Sequence, residues 1–462
     1  SADLIPEVIG TREIIEYYMS SKLDHDSFFR TLFTDLREQE TRFFNSIFNG
    51  NLKEVNSLFL SSDFSKYYGG KYYVLDLHFE MKENSKLVNS ILTKMFKEQE
   101  VLRSFLYKND EQLVIKIKDW SDDLVLESIP SIDLSKQPLV AYNVFCQSII
   151  EYLKFKDNFI NFPFRAFLIK KTETKFALFI SLAEWIHDDA SETIIRSYFS
   201  NLSMNLSKEI PSFIPRKSFI DYLVFIEKLE IQMEDQRIME EFHLNEFLSA
   251  TNELRSFIGE QRVPHIYQID LKGSNEELEA SMGLNILLAF AKTFTTLNTI
   301  PVSYIHDVRL QYACDYLGGI GGYTDYIPYL LDVSSEDPID CCNDLKSKMK
   351  LVKDNNICFS ALVKIDDADL SFPNTRRIIK ECTEDLVVSN AIFLYQYLAY
   401  DTSKVSFELT LDDEYNKDVI PVWLKGFMLT VINDGVSNKL LLNTPFDLPE
   451  DKLEEFKRVI CI

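Results

Sequence analysis

The sequence predicts an α+β protein built of two comparable halves, and three observations carry that reading. Its 462 residues are 46% apolar and 26% charged, an ordinary globular balance in a chain long enough to bury one large or two medium cores. From about residue 50, short stretches rich in β-branched and aromatic residues alternate with stretches of helical periodicity. Around "KEIPSFIPRKSF" (208 to 219) two prolines and a basic spot mark a crossover, after which the same mixture begins again.

Residues 11 to 48 carry apolar residues at helical spacing, among them Phe29, Leu32, Phe33, Leu36, Phe43, Phe44 and Ile47, with N-cap candidates from Asp24 to Ser27. They read as two helices and a short extension, which is either a docking element for a neighbouring protein or a helical flank on the main body. After Asn49-Gly50, "KYYVLDLHFEM" (71 to 81) reads as a strand and 86 to 102 as a helix. A strand at 111 to 120, a helix at 138 to 155 and two strands across 165 to 182 follow, then a helix from about 191 to 205. Past the crossover come helices near 219 to 258 and 275 to 295. Strands are read near 263 to 271, 298 to 306, 357 to 364, 389 to 396, 403 to 410 and 438 to 443, before a final helix at 449 to 459.

Composition removes several classes of function. With 72 acidic and 49 basic residues the net charge of −23 repels polyanions, which argues against nucleic acid or an anionic membrane as the main partner. Glycine is scarce, at 13 residues, and neither G-x-G-x-x-G nor G-x-x-x-x-G-K occurs, so nucleotide chemistry is disfavoured. Seven cysteines without C-x-x-C spacing read as reduced cytoplasmic thiols, and the adjacent Cys341 and Cys342 as either buried small hydrophobes or a redox pair. No apolar run approaches the roughly 18 residues of a membrane span, and no signal pattern opens the chain.

The chemistry concentrates in "SLAEWIHDDASETII" (181 to 195), where a strand ends in a loop that feeds a helix. Glu184, His187, Asp188 and Asp189 place four titratable groups within six residues. Acids at a helix start also cap it and complement its dipole, so a structural role stands beside the catalytic one.

Four separated segments, with the stretch 442 to 460 besides, resemble, in order, the condensation domains of nonribosomal peptide synthetases and their chloramphenicol-acetyltransferase-like relatives. "EQEVLRSFL" (98 to 106) is similar to R-H-E-x-L-R-T-x-F, and 163 to 191 is similar to the P-L-F-R-A strand pair leading into H-H-x-x-x-D-G-x-S. "SFIDYLVFIEK" (218 to 228) resembles Y-x-D-Y-A-x-W, "IGGYTDYIP" (320 to 328) resembles I-G-x-F-V-N-T, and 442 to 460 resembles the last strand and helix. The resemblance covers roughly 50 to 462 and implies two acetyltransferase-like lobes in a V with a central tunnel, where two carrier-protein phosphopantetheine arms meet. It divides the chain into a helical N-terminal extension (1–49), an N-terminal lobe (50–215) and a C-terminal lobe (216–462).

Carried over without gaps, the motif's histidines fall on Ala183 and on Glu184, the catalytic position, while its Asp, Gly and Ser fall on Asp188, Asp189 and Ser191. The family's structural ion pair implies Asp188 with Arg309, in the strand end "YIHDVR". His187 is a second candidate base, and Trp185, His306 and Tyr323 are candidate tunnel residues. The function implied is acyl transfer, forming an amide or ester between substrates on acyl or peptidyl carrier proteins, with no cofactor bound directly. The alternative is a non-catalytic domain that holds a carrier-bound peptide or recruits a tailoring enzyme such as an oxygenase, in line with the double acid Asp188-Asp189. Heterocyclisation, whose D-x-x-x-x-D-x-x-S fits only at Asp188 and Ser191, is a minor third. Carrier docking on so acidic a chain calls for local basic patches such as Lys170-Lys171, Arg216-Lys217 or Arg376-Arg377.

Overall fold

The computed structural model describes residues 27–56, 72–80, 86–109, 112–137, 145–146, 148–149, 160–199, 210–259, 263, 265–272, 281, 283–312, 315–335, 337–364, 371–383, 388–393, 406–409, 426–433 and 438–460. The chain divides into two compact units. One is Ser1–Glu227 with Cys314–Gly322 and Tyr400–Leu411, and the other is Lys228–Ala313, Tyr323–Ala399 and Asp412–Ile462.

The first unit begins, among the described residues, with one helix, α1 (Ser27–Phe48), where two were expected over 11 to 48; residues 11 to 26 lie outside those described. Its periodic Phe33, Leu36, Phe43, Phe44, Ile47 and Phe48 are buried, and the Phe44 ring stacks on Phe162 at 4.0 Å. Glu40, 2% exposed, receives two hydrogen bonds from the Arg165 guanidinium at 2.8 and 3.2 Å. A buried bidentate pair of this kind ties the helix into the core of the unit.

Next come β1 (Lys53–Asn56), β2 (Tyr72–Glu80), α2 (Lys86–Glu98), a 3₁₀ turn (Glu100–Arg103), β3 (Ser104–Asn109), β4 (Gln112–Ile117), β5 (Ser131–Asp133) and β6 (Ile160–Asn161). They lead to β7 (Phe164–Lys170), β8 (Lys175–Ala183), α3 (Asp189–Phe199) and α4 (Phe219–Glu227). Strands β1-β4-β3-β6 form a small antiparallel sheet. Arg103 closes the end of α2 by donating to the carbonyls of Phe96 and Lys97, and its guanidinium lies 5.7 Å from the Trp120 ring. Burial lowers the pKa of that guanidinium from its ordinary value.

The second unit carries α5 (Asp235–Glu241), α6 (Leu244–Ile258), β9 (His265–Leu271), α7 (Leu284–Phe294), β10 (Thr299–Asp307), β11 (Thr324–Asp332), α8 (Pro338–Asp354), α9 (Phe359–Lys364), α10 (Pro373–Thr383) and β12 (Val388–Phe393). After β13 (Ser406–Leu409) it continues with β14 (Phe427–Asn433), β15 (Asn438–Thr444) and α11 (Glu450–Ile460). Its six-stranded sheet runs β11-β10-β12-β14-β15-β9, with β12 parallel to both its neighbours. Pro301 is tolerated inside β10 because pairing with β12 begins only at Ser303. Helices α7 and α11 pack through Phe294 and Phe456, 5.5 Å apart. Cys341 and Cys342 are buried free thiols on α8, which fits the small-hydrophobe reading.

Strand β13 does not join this sheet. It pairs with β2 and completes the first unit's order β13-β2-β8-β7-β5. There β8 is buried on both faces from Phe176 to Ala183, which is why "FALFISLA" is a continuous apolar run rather than an alternating one.

The segment 357 to 364, expected to be a strand, is helical from Phe359. Its N-terminal amides are taken by Asp325, which accepts from Phe359 N at 3.2 Å and Ser360 N at 2.8 Å. That cap comes from 34 residues upstream, so nothing in the local pattern announces it.

Candidate active-site loop

Strand β8 keeps its hydrogen bonds to the last residue, where Ala183 N donates to Pro163 O at 2.9 Å. Residues Glu184–Ile186 then form a 3₁₀ turn, closed by His187 N donating to Glu184 O at 3.2 Å. Trp185 and Ile186 are buried and anchor the turn, whereas Glu184 and His187 remain half-buried at its rim. The buried Asp188 ends the loop by accepting from Ser191 N at 2.7 Å, the N-cap bond of α3.

Ser191 is fully buried, and its hydroxyl bonds the same residue twice: Oγ donates to Gly321 O and accepts from Gly321 N, both at 2.9 Å. The segment 315–322 lies beside the loop, and at Gly321 and Gly322 there is no room for a side chain. A Cβ on Gly321 would stand 2.3 Å from the Phe219 ring, and one on Gly322 2.9 Å from Trp185 O. Trp185 in turn leans on Phe219 at 6.2 Å.

A second clamp holds the same segment. Gln99, 2% exposed, donates to Gly318 O at 2.9 Å and to Phe213 O at 2.5 Å, and accepts from Ile320 N at 2.9 Å. Beside it, Glu98 accepts from Tyr198 Oη at 2.6 Å, Ser212 Oγ at 2.7 Å and Phe213 N at 3.0 Å. Burial opposes ionisation of Glu98, but these donors and Lys94 outweigh it and hold the carboxyl below its usual range.

Behind the loop, one turn into α3, Glu192 is 5% exposed and lies 3.6 Å from His187 Nε2 while also bonding Arg196. Burial alone would raise the Glu192 carboxyl; the Arg196 charge, with His187, keeps it low and ionised. Glu192 thus sets a buried negative charge beside the His187 ring.

In the second unit, strand β10 also ends in a 3₁₀ turn, Val308–Leu310. Asp307 accepts from Arg309 N at 2.9 Å and from its guanidinium at 3.1 Å, and that guanidinium lies 4.2 Å over the Tyr323 ring. Arg309 and Tyr323 are 2% and 0% exposed, so the stack is desolvated. His306 is buried across the ladder from Asp325 and bonds Gln311; burial lowers its pKa, against the opposing pull of Asp325 and Asp307.

Of the residues singled out in the sequence, the first unit gathers Ala183, Glu184, Trp185, His187, Asp188 and Ser191 on one loop, while His306, Arg309 and Tyr323 belong to the second unit. The side chain of Asp189 lies outside those described; its backbone opens α3. Sequence reasoning missed Gln99, Gly321 and Gly322 as loop supports, although all three stand inside the quoted segments. It also missed Glu192 and Arg196, whose signal is helical spacing behind His187. Among the described residues no group of three or more His, Cys, Asp or Glu side chains could hold a metal ion, and no helix is long and apolar enough to cross a membrane.

No protein-family profile matches the chain, and no curated protein matches it. Solved structures do. The epimerization domain from the third module of tyrocidine synthetase B aligns over 89% of this chain and 95% of its own, at TM-score 0.57 and 14% identity. The condensation domain of the monacolin K polyketide synthase aligns over 89% and 98%, at 0.56 and 10%. The chain has the condensation-domain fold. The starter condensation domain of rhizomide synthetase shares it over 87% of this chain and 91% of its own, at 0.54 and 12%. Because the condensation-domain fold carries both condensation and epimerization domains, the reaction has to be read from side chains.

Proposed function

We propose that this chain is a condensation-like protein of nonribosomal peptide biosynthesis that transfers an acyl group between carrier-bound substrates, with Glu184 in the place of the usual catalytic histidine. The observation that carries the reading is the position of Glu184, first residue of a turn anchored by Trp185 and Ile186 and half-buried at its rim. An acceptor amine or hydroxyl attacks the donor thioester carbon; the new C–N or C–O bond forms as the C–S bond breaks, and the proton lost by the acceptor ends on the departing phosphopantetheine thiolate.

A carboxylate is a weaker proton acceptor than an imidazole. Glu184 therefore acts through charge, stabilising the ammonium that develops on an attacking amine, while the carriers supply proximity. His187, 3.6 Å from the ionised Glu192, is the second group of the loop able to exchange a proton.

The test is intact-mass analysis of loaded donor and acceptor carriers incubated with the native chain and with Glu184→Gln. Product from the native chain that falls about 100-fold in the variant supports the assignment. Equal transfer by both removes Glu184 from the chemistry. No transfer by either, with carrier binding retained, leaves the non-catalytic domain as the function.

A further inference from the structure

The turn that carries Glu184 also carries His187, and a buried charge stands behind that ring. His187 N donates to Glu184 O at 3.2 Å, so the imidazole and the carboxyl ride on one turn. The two oxygens of Glu192 are divided: Oε1 accepts from the Arg196 guanidinium, and Oε2 faces His187 Nε2 at 3.6 Å. The side chains of His187 and Glu192 are 13% and 7% exposed, so water screens their charges little.

An acid in the first turn of a helix ordinarily caps it or complements its dipole. Here Asp188 already caps α3 by accepting from Ser191 N at 2.7 Å, and a dipole partner has no need of burial. Burial disfavours an ionised carboxylate, yet Arg196 and His187 hold Glu192 in that form. Other histidines lack such a neighbour. The contact of His265 with Asp447, at 3.8 Å, is 35% and 76% exposed and therefore screened, and the buried His306 bonds an amide, Gln311.

The loop and α3 carry the titratable groups of this region: Glu184, Asp188, Asp189, Glu192 and Arg196. Helix α4 meets the loop with the Phe219 ring, and the segment 315–322 meets it with Gly321 and Gly322, which bring no charge. The one acid of that segment, Asp315, is paired with Lys217 at 2.7 Å.

We propose that Glu192 acts in the transfer through His187. The ring takes the proton from the attacking amine as the C–N bond forms and gives it to the phosphopantetheine sulfur as the C–S bond breaks. Glu192 balances the charge that the ring carries between those two steps. His187 is then a catalytic residue and Glu192 its positioning residue. The inference rests on the acyl-transfer function and adds the path of the proton.

Two measurements on the full chain test it. One is the titration of the His187 ring, read by NMR of ¹³C-labelled histidine and assigned with His187→Gln. The other is the pH profile of transfer between the loaded donor and acceptor carriers. The ring works as a base when neutral, so transfer rises with pH through its midpoint. Glu192→Gln removes the negative charge and the ring holds its proton less tightly: the midpoint and the acid limb both move down by about one pH unit. Transfer on the plateau falls about tenfold, and His187→Gln loses the limb and about 100-fold in rate. Glu192→Asp, which keeps the charge but draws it back from the ring, moves both in the same direction by less, and it decides alone if Glu192→Gln does not fold. A midpoint unmoved in the variants takes Glu192 out of the proton's path. A midpoint that moves while the limb stays takes His187 out of it; in either case acyl transfer stands. If the native chain transfers nothing at any pH, the acyl-transfer function falls and this inference falls with it.

Discussion

Two strands of this protein, β8 in the first unit and β10 in the second, end in the same way, with a 3₁₀ turn that carries charged residues, yet the turns put those residues to opposite uses. After β8, Asp188 and Ser191 satisfy the helix start and the glycine segment, and Glu184 and His187 are half-buried. After β10, Arg309 lies buried on Tyr323 and His306 is buried opposite Asp325, while the Asp307 side chain beside the guanidinium stays 36% exposed. The first turn thus keeps a carboxyl and an imidazole partly exposed, and the second buries its guanidinium and its imidazole. That difference in burial is the reason Glu184, rather than His306, is proposed as the reacting group.

Removing each turn's supports tests that contrast, beginning with the largest effect. Arg309→Ala takes a desolvated guanidinium from its ring and empties its volume, at a cost on the order of 3 kcal/mol in chemical denaturation. Arg309→Lys keeps the charge but loses the planar stack and recovers only part of it. Gly321→Ala forces a methyl group into the Phe219 ring and costs about 2 kcal/mol. Asp188→Ala removes the cap of α3, costs about 1 kcal/mol, and shows as faster amide exchange at Ser191.

The smallest effect is a pH dependence. Burial holds the His306 pKa below its ordinary 6.5. As pH falls past about 6.5, the unfolded chain takes the proton first, so the second unit loses stability progressively toward the lower folded value and gains nothing from this group above it. Denaturation midpoints followed from about pH 7 to pH 5 therefore fall in the native chain and flatten in His306→Gln.

Much of the fold was legible because its signals are local. The alternation and apolar run of 165 to 182 gave β7 and β8, and helical periodicity over 219 to 258 gave α4, α5 and α6. Strand β11 went unassigned because glycines precede it and Pro328 interrupts it, which an edge strand tolerates. Helix α9 was misread because "ICFSALVK" is a short apolar run that suits either structure, and its deciding cap is Asp325. In the site, Asp188 and Ser191 were readable from spacing within one motif. The Gln99 bond to Ile320 and the Ser191 bond to Gly321 span 221 and 130 residues, and separations of that size leave no periodic trace.

The exchange of β13 has a consequence for how the chain comes to exist. The first unit contains Tyr400–Leu411, so its five-stranded sheet lacks an edge strand until the ribosome has passed Leu409. Domains commonly fold in the order of their synthesis. Here the earlier unit cannot finish first: β2 keeps an unpaired edge while the second unit's strands up to β12 emerge, and the loop at Glu184 sits on a sheet completed late in synthesis.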